Sequence, residues 1–438
     1  MIEQQMPINQ MLPVSFFQER HLMYHRLSPE DFQEHVRYVF HIRGQLDLSA
    51  LERSLAEIQR RHSIFRTIYP ESSDYYQVIL PTTSSCLSFK DLRQASSAVD
   101  WQQQAKDTYK KPFDLSQDVS IRCEVLQLAE QEYILSLIIH HIAYDFHSEN
   151  ILFRELETCY AAFLKGSDIQ LPLPKSQYKD FAVWQRQHKN SEAWLRQAEW
   201  WLQTLPINPP VLKLPPDIPT PISKGVADRY VEQYLPPELA NRLTSFSKKN
   251  QVSLFVLLFS ALNALIHEIT GETDIVIGVL VSSRNSVNLE RTIGMFIHNL
   301  IFRTNLSGNP KFTQLLQQTA NNVRSVLAHR DFPLFLLSEL EPSREFSRKN
   351  LNTITFNMLN SFQDSLQLPE LLIKQIPSIP IHSPDLAVLV VNNGKKGIHI
   401  YWNYDAGQYS KACIENWTTQ YQSLLEKMLN QPDVQLNN

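Results

Sequence analysis

Residues 138–148 read IIHHIAYDFHS. An apolar run closes on two adjacent histidines, His140 and His141. Asp145 follows four residues after the second, and Ser148 three beyond that. An imidazole titrates near neutrality and is the usual general base for taking a proton from an attacking nucleophile. Neighbouring residues of a strand point to opposite faces, so only one histidine can reach a given reactive centre while the strand continues. The simplest arrangement makes one histidine structural and exposes the other. Asp145 lies past a short turn, where its carboxylate can accept from an imidazole or pair with an arginine and so hold the turn. A helix starting near Ser148 would bring the positive end of its dipole to that turn. The opposed strand directions disfavour His140, His141 and Asp145 as a metal site, so no metal is expected. On chemistry alone, histidines satisfied inside a core fit the same pattern.

The elements that must hold these residues are legible around them. YILSLIIHH (133–141) reads as a buried strand. ENILFRELETCYAAFLKG (149–166) reads as a helix with Ser148 as its N-cap and Gly166 just past its end. Upstream, VRYVFHI (36–42) alternates as a half-buried strand does. DLSALERSLAEIQRRH (47–62) places Leu51, Leu55 and Ile58 on one helical face, with Asp47 or Ser49 as cap. PINPPVLKLPPDIPTPIS (206–223) holds seven prolines and can be neither a helix nor a central strand. It predicts a crossover between an N-terminal lobe (1–205) and a C-terminal lobe (224–438). Beyond it, YVEQYL (230–235) predicts a strand. PPELANRLTSFSKKN (236–250) predicts a helix with proline in its first turn, followed by a long apolar helix over 253–269. DIVIGVLV (274–281) predicts a strand, AVLVV (387–391) and IHIYWNY (398–404) a hairpin, and residues 412–429 a final helix. Two similar halves of mixed strands and helices suggest an α/β or α+β pseudo-dimer.

Bulk composition narrows the function. A chain of 438 residues is long for one core and favours two lobes. A net charge of −4 offers no basic surplus for nucleic acid. The four cysteines lack CxxC spacing and read as reduced thiols of a cytoplasmic protein. The first 20 residues hold no signal-peptide core, and LFVLLFSALNALI (254–266) is short of the roughly 18–20 residues of a membrane span. Glycine numbers only 10, with no GxGxxG or GxxxxGK[ST], so no nucleotide-phosphate loop is expected.

HHIAYD resembles the HHxxxDG motif of condensation domains of nonribosomal peptide synthetases, which belong to the chloramphenicol acetyltransferase-like acyltransferases. Other segments carry the same resemblance in the same order. SFFQERHL (15–22) is similar to SxAQxRLW, RRHSIFRTIY (60–69) to RHExLRTxF, and YKDFAVWQR (178–186) to YxDFAxWQ. IGMFIHNLIFR (293–303) is similar to IGxFVNTxxxR and HRDFPLFLL (329–337) to HQDxPFExL. SREFSRKNL (343–351) with TFNML (355–359) resembles the RxxSRxPLFxxxFxxxN region.

The resemblance implies a V-shaped pair of chloramphenicol acetyltransferase-like lobes with a tunnel between them. It implies no permanently bound cofactor, since substrates arrive on the phosphopantetheine arms of donor and acceptor carrier proteins. An adjacent adenylation domain and a monomeric, soluble domain are further expectations. The reaction would be attack of an acceptor amine, or in some members a hydroxyl, on a donor thioester. His141 matches the histidine that takes the proton of the amine or orients it, and His140 the structural one. Asp145 would pair with Arg284, in VSSRNS (281–286), from the opposite lobe and brace the site. Arg66 and Trp184 are expected to be scaffold. His21, His62, His147 and His329 are expected to be ordinary polar positions.

Two departures stand out. Phe146 occupies the place of the motif glycine, where its ring could narrow the tunnel, turn away, or block a channel; a phenylalanine there cannot cheaply take positive φ. His298 and Asn299 replace the asparagine and threonine of IGxFVNT; His298 is expected either to face outward or to add a titratable group to the tunnel. The opening motif lies about 15 residues from Met1, which favours a starter-type or free-standing enzyme, and QPDVQLNN resembles the start of a linker to an adenylation domain. The competing reading is a non-catalytic docking module with its tunnel closed by Phe146.

Overall fold

The computed structural model describes residues 11–94, 101–207, 212–218, 229–342, 353–359, 366–376 and 384–436. The chain divides into two compact units. The first comprises Met1–Lys189, Ser282–Ile297 and Gln363–Ser378; the second comprises Asn190–Val281, His298–Phe362 and Ile379–Asn438. This division differs from a single break at the proline run. The first unit ends before the helix Glu192–Thr204 and takes back two later segments. Residues 212–218 of the proline run are neither helix nor strand; Leu214 is buried there, and its carbonyl accepts from the Tyr409 hydroxyl at 3.2 Å.

The first unit is built on a five-stranded sheet. Its order is Leu372–Ile376, His35–Arg43, Glu132–His140, Ile121–Ala129, Leu87–Asp91, antiparallel except for the last pair. The predicted strands 36–42 and 133–141 lie in this sheet, paired so that His35 faces His140. The predicted helix 47–62 spans Leu48–Arg61, capped by Asp47, whose Oδ1 accepts from the Ala50 amide at 2.8 Å. Leu51, Leu55 and Ile58 are buried as their spacing requires, and this helix packs on Phe146–Lys165. Gly166 closes the latter helix with φ 62°, a left-handed conformation that glycine adopts without steric penalty.

The second unit holds a six-stranded mixed sheet: Ile297–Asn305, Asp274–Ser282, Ile354–Leu359, Leu386–Asn392, Ile398–Tyr404, Arg229–Leu235. Ile354–Leu359 runs parallel to both neighbours, and the 386–404 hairpin is antiparallel as its turn predicts. The apolar helix Leu254–Thr270 is buried over every face from Val256 to His267. It packs against both Phe312–Ala328 and Lys411–Asn430, which explains its all-round hydrophobicity.

A hydrogen-bonded knot ties the motif segments of the first unit together. The Tyr178 hydroxyl donates to the Met295 carbonyl at 2.5 Å and lies 2.7 Å from Ser15 Oγ, which itself accepts from the Gln18 amide at 3.1 Å. The Gln18 side-chain amide donates to the Tyr69 hydroxyl at 2.9 Å, and the Phe16 amide to Gln185 Oε1 at 2.8 Å. Gly294 lies against the Tyr178 ring so closely that a Cβ there would stand 1.9 Å from a ring carbon. The ring is fully buried and has nowhere to retreat. Gly294→Ala is therefore expected to lower stability by about 1–3 kcal/mol or more through overpacking, seen as a lower urea midpoint with unchanged slope; an unchanged midpoint would contradict this packing.

Candidate functional site

The strand Glu132–His140 ends where its partner His35–Arg43 begins. His141 to Ala143 then form a single 3-10 turn, and Asp145 starts the helix Phe146–Lys165. The two histidines are thus separated by the end of the strand, and the backbone fixes them differently. His140 is 1% exposed, and its Nδ1 accepts from the Ile142 amide at 3.1 Å. Rings of His25, His35 and Phe113 surround it at steep angles, each with its centroid 5.9 Å away. Burial pushes its pKa well below the usual 6.5 and keeps it neutral. His141 is half-buried, and its Nδ1 lies 2.9 Å from the Tyr144 carbonyl. A carbonyl can only accept, so Nδ1 carries the hydrogen and the neutral ring keeps a lone pair on Nε2. The adjacent rings are held in opposite tautomers: His140 Nδ1 accepts a hydrogen bond, and His141 Nδ1 donates one.

Asp145 differs from the expected helix start. The sequence predicts the cap at Ser148 and the helix from 149. The structure makes Asp145 the N-cap and begins the helix at Phe146. Ser148 is then the third helical residue, and it donates both its amide (2.8 Å) and its hydroxyl (2.7 Å) to Asp145 Oδ1. Arg284 Nη2 adds bonds of 2.9 and 3.1 Å to the two oxygens, and the Phe296 amide one of 3.2 Å to Oδ2. The carboxylate is only 1% exposed, and these donors tie the turn to Arg284 and to the Phe296 amide. Arg284 is spread over further acceptors. Its Nη1 reaches the carbonyls of Leu289 (2.8 Å) and Thr292 (2.5 Å), and its guanidinium stands 4.0 Å from the Phe296 ring centroid. Burial lowers its pKa, and Asp145 opposes the shift.

Arg284 does not come from an opposite lobe, as the sequence predicts. Its segment, Ser282–Ile297, belongs to the same compact unit as Asp145, anchored there by the contacts of Gly294, Met295 and Phe296.

Phe146 is half-buried at the first helical position and is not among the residues with positive φ, so the backbone strain anticipated for it does not arise. His298 and Asn299 lie on Ile297–Asn305 in the second unit. His298 is 5% exposed, against the outward-facing expectation. His147 donates to the Glu290 carbonyl at 2.9 Å. His329 stacks on Trp200 with centroids 4.1 Å apart. Arg66 donates to the Gln59 carbonyl at 2.9 Å, and Trp184 stacks on Phe181. Part of the RxxSRxPLF-like segment, 343–351, lies outside the described residues. Among the described residues, no three His, Cys, Asp or Glu side chains group as metal ligands.

Several buried groups escape prediction from sequence. His21 is 3% exposed, lies near parallel to His141 at 5.7 Å between centroids, and bonds to Glu34 Oε2 at 2.7 Å. Its signal was available: SFFQERHL has histidine where SxAQxRLW has leucine. His62 is likewise buried, with Arg61, on Glu155 of the helix Phe146–Lys165 (2.9 and 2.7 Å). Each of these residues is polar in its local sequence, and only the fold shows what it meets.

Arg284→Met leaves the Asp145 charge buried without its cation and is expected to cost about 3–5 kcal/mol, with part recovered in the Asp145→Asn/Arg284→Met double variant. A loss within the roughly 0–1 kcal/mol of an exposed pair would contradict the brace. Separately, burial lowers the pKa values of His21, His25, His35 and His140 below 6.5. The unfolded chain therefore binds more protons than the native one below pH 6.5. This contribution to stability is full above that pH and lost as pH falls through the depressed native values. A urea midpoint at pH 5.5 equal to that at 7.5 would contradict it.

The sequence profile described as Condensation domain matches residues 8–438. The chain is 29% identical over 429 residues to a linear gramicidin synthase polypeptide of Brevibacillus parabrevis, covering 96% of this chain and 8% of that protein. It is 29% identical over 428 residues to a plipastatin synthase polypeptide of Bacillus subtilis, covering 97% and 12%. It therefore spans a small part of the length of these relatives. Among solved structures, the X-domain from teicoplanin biosynthesis, in complex with OxyB, superposes with a TM-score of 0.84 at 23% identity, over 99% of this chain and 96% of that one. The first condensation domain of the calcium-dependent antibiotic synthetase, in complex with a substrate analogue, gives 0.75 at 17%, over 98% of each chain. The likeness fixes the fold as mixed α/β of the chloramphenicol acetyltransferase-like type, and by its family profile this chain belongs to the condensation domains of nonribosomal peptide synthetases.

Proposed function

We propose that this domain joins a carrier-bound acyl or aminoacyl thioester to an acceptor amine, with His141 as the residue that takes or orients the amine proton. The observation that carries the reading is the bond from His141 Nδ1 to the Tyr144 carbonyl, which leaves Nε2 as the basic atom. The acceptor nitrogen attacks the thioester carbonyl, the C–N bond forms, and the C–S bond breaks. The nitrogen's proton passes to Nε2 and can return to the departing thiolate. His140 and the Asp145–Arg284 pair hold the turn that presents this ring. Both substrates come on phosphopantetheine arms of donor and acceptor carrier proteins, with an adenylation domain as the neighbouring source of activated monomer. No cofactor of the domain itself takes part in this scheme.

His141→Ala is expected to lower amide formation by about 10²–10⁴-fold with unchanged thermal stability, measured with a loaded donor carrier and an amine acceptor. Parent-like turnover would remove His141 from the reaction. A panel of donors from fatty acyl to aminoacyl thioesters separates a starter-type domain from one that elongates peptides. A second reading, a docking module, is favoured by Phe146 in place of the motif glycine and by likeness to an X-domain seen in complex with OxyB. It predicts an inactive parent and activity gained in Phe146→Gly, whereas the condensation reading predicts product from the parent.

A further inference from the structure

Tyr144 grips His141 at two points. Its amide donates to the His141 carbonyl at 3.2 Å, and its own carbonyl holds the His141 ring at Nδ1. Any shift of the Tyr144 peptide therefore moves the motif ring. The side chain of Tyr144 is the handle on that peptide. It is 1% exposed and meets the ring of Tyr38 edge-on, with centroids 6.2 Å apart at 73°.

Tyr38 lies on the strand His35–Arg43, opposite Leu137 of the strand that ends at His140. Two residues on one face of the helix Phe146–Lys165 hold it. Its hydroxyl donates to Glu149 Oε2 at 2.7 Å, and its ring meets Phe153 edge-on at 5.0 Å. Burial pushes the Tyr38 phenol well above its usual 10, so the hydroxyl keeps the hydrogen it donates. Asp145 and Arg284 tie the motif turn to the segment 282–297. The Tyr38–Glu149 bond is a second tie: it joins the helix that follows the turn to the strand beside the one that precedes it.

We propose that Tyr38 and Glu149 are positioning residues for His141. Their bond fastens strand to helix across the motif turn, the Tyr144 ring is held against Tyr38 in the corner so formed, and the Tyr144 carbonyl passes that constraint to the His141 ring. The device is a hydrogen bond between two side chains, and no proton is transferred through it. Its consequence for turnover rests on the condensation reading of His141; its consequence for the ring does not.

Tyr38→Phe keeps the ring and removes the bond. In the full chain labelled with ¹⁵N-histidine, the Nδ1–H signature of His141 is expected to give way to averaged Nδ1 and Nε2 shifts. With a loaded donor carrier and an amine acceptor, kcat is expected to fall about ten-fold with KM unchanged. Glu149→Ala should do the same, and the double variant should fall no further than either single one, because both remove one interaction. Glu149→Gln keeps an acceptor oxygen and should lose less than Glu149→Ala. Tyr160→Phe is the control. It removes another bond of the same helix, from the Asp47 amide at 3.0 Å, and should leave the His141 shifts as in the parent. Parent-like His141 shifts in Tyr38→Phe and Glu149→Ala, or equal changes in Tyr160→Phe, overturn the proposal. Failure of the condensation reading shows differently, as a parent without product or a fully active His141→Ala, and leaves the ring shifts to decide this one.

Discussion

The carboxylate of Asp145 is the constraint on which the site depends. It is buried, and it collects donors from three places in the sequence: the first turn of its own helix, Arg284, and the Phe296 amide. A buried carboxylate is tolerable only when its lone pairs are filled. Filling them pins the turn between strand and helix to the segment 282–297. That turn sets Tyr144, whose carbonyl fixes the tautomer of His141. The tautomer of one ring is thus set by a chain of hydrogen bonds that begins at a buried carboxylate four residues away.

The same economy appears in the histidine pair. Two identical side chains, one peptide apart, receive opposite assignments because the strand ends between them. His140 remains in the sheet register and meets other rings; His141 enters a 3-10 turn and meets a carbonyl. The Tyr178 knot and Gly294 hold the returning segment against the first unit, and they explain why motifs far apart in the chain read as one set.

Much of the fold is legible in the sequence. Strands and helices with clean periodicity fall close to their predicted bounds, because alternation and a 3.6-residue repeat are local properties of the side chains. The helix start is displaced by three residues because Asp145 and Ser148 are both good caps and stand three apart. Only the donors gathered at Asp145 decide between them. The return of residues 282–297 to the first unit is not readable, since it depends on contacts some 140 residues away from Asp145. His21 and His62 are undervalued for the reason that hides Arg61: a lone polar residue announces nothing until its buried partner is seen. The positive φ that the motif glycine suggests at Phe146 does not occur, because the backbone there is helical.

The central claim is that neutral His141 carries its proton on Nδ1 and offers Nε2 to the substrate. ¹⁵N shifts of the histidine rings at neutral pH test it most directly. The account predicts a protonated Nδ1 and an unprotonated Nε2 for His141, with the reverse pattern for His140. An Nε2–H tautomer at His141 would contradict it.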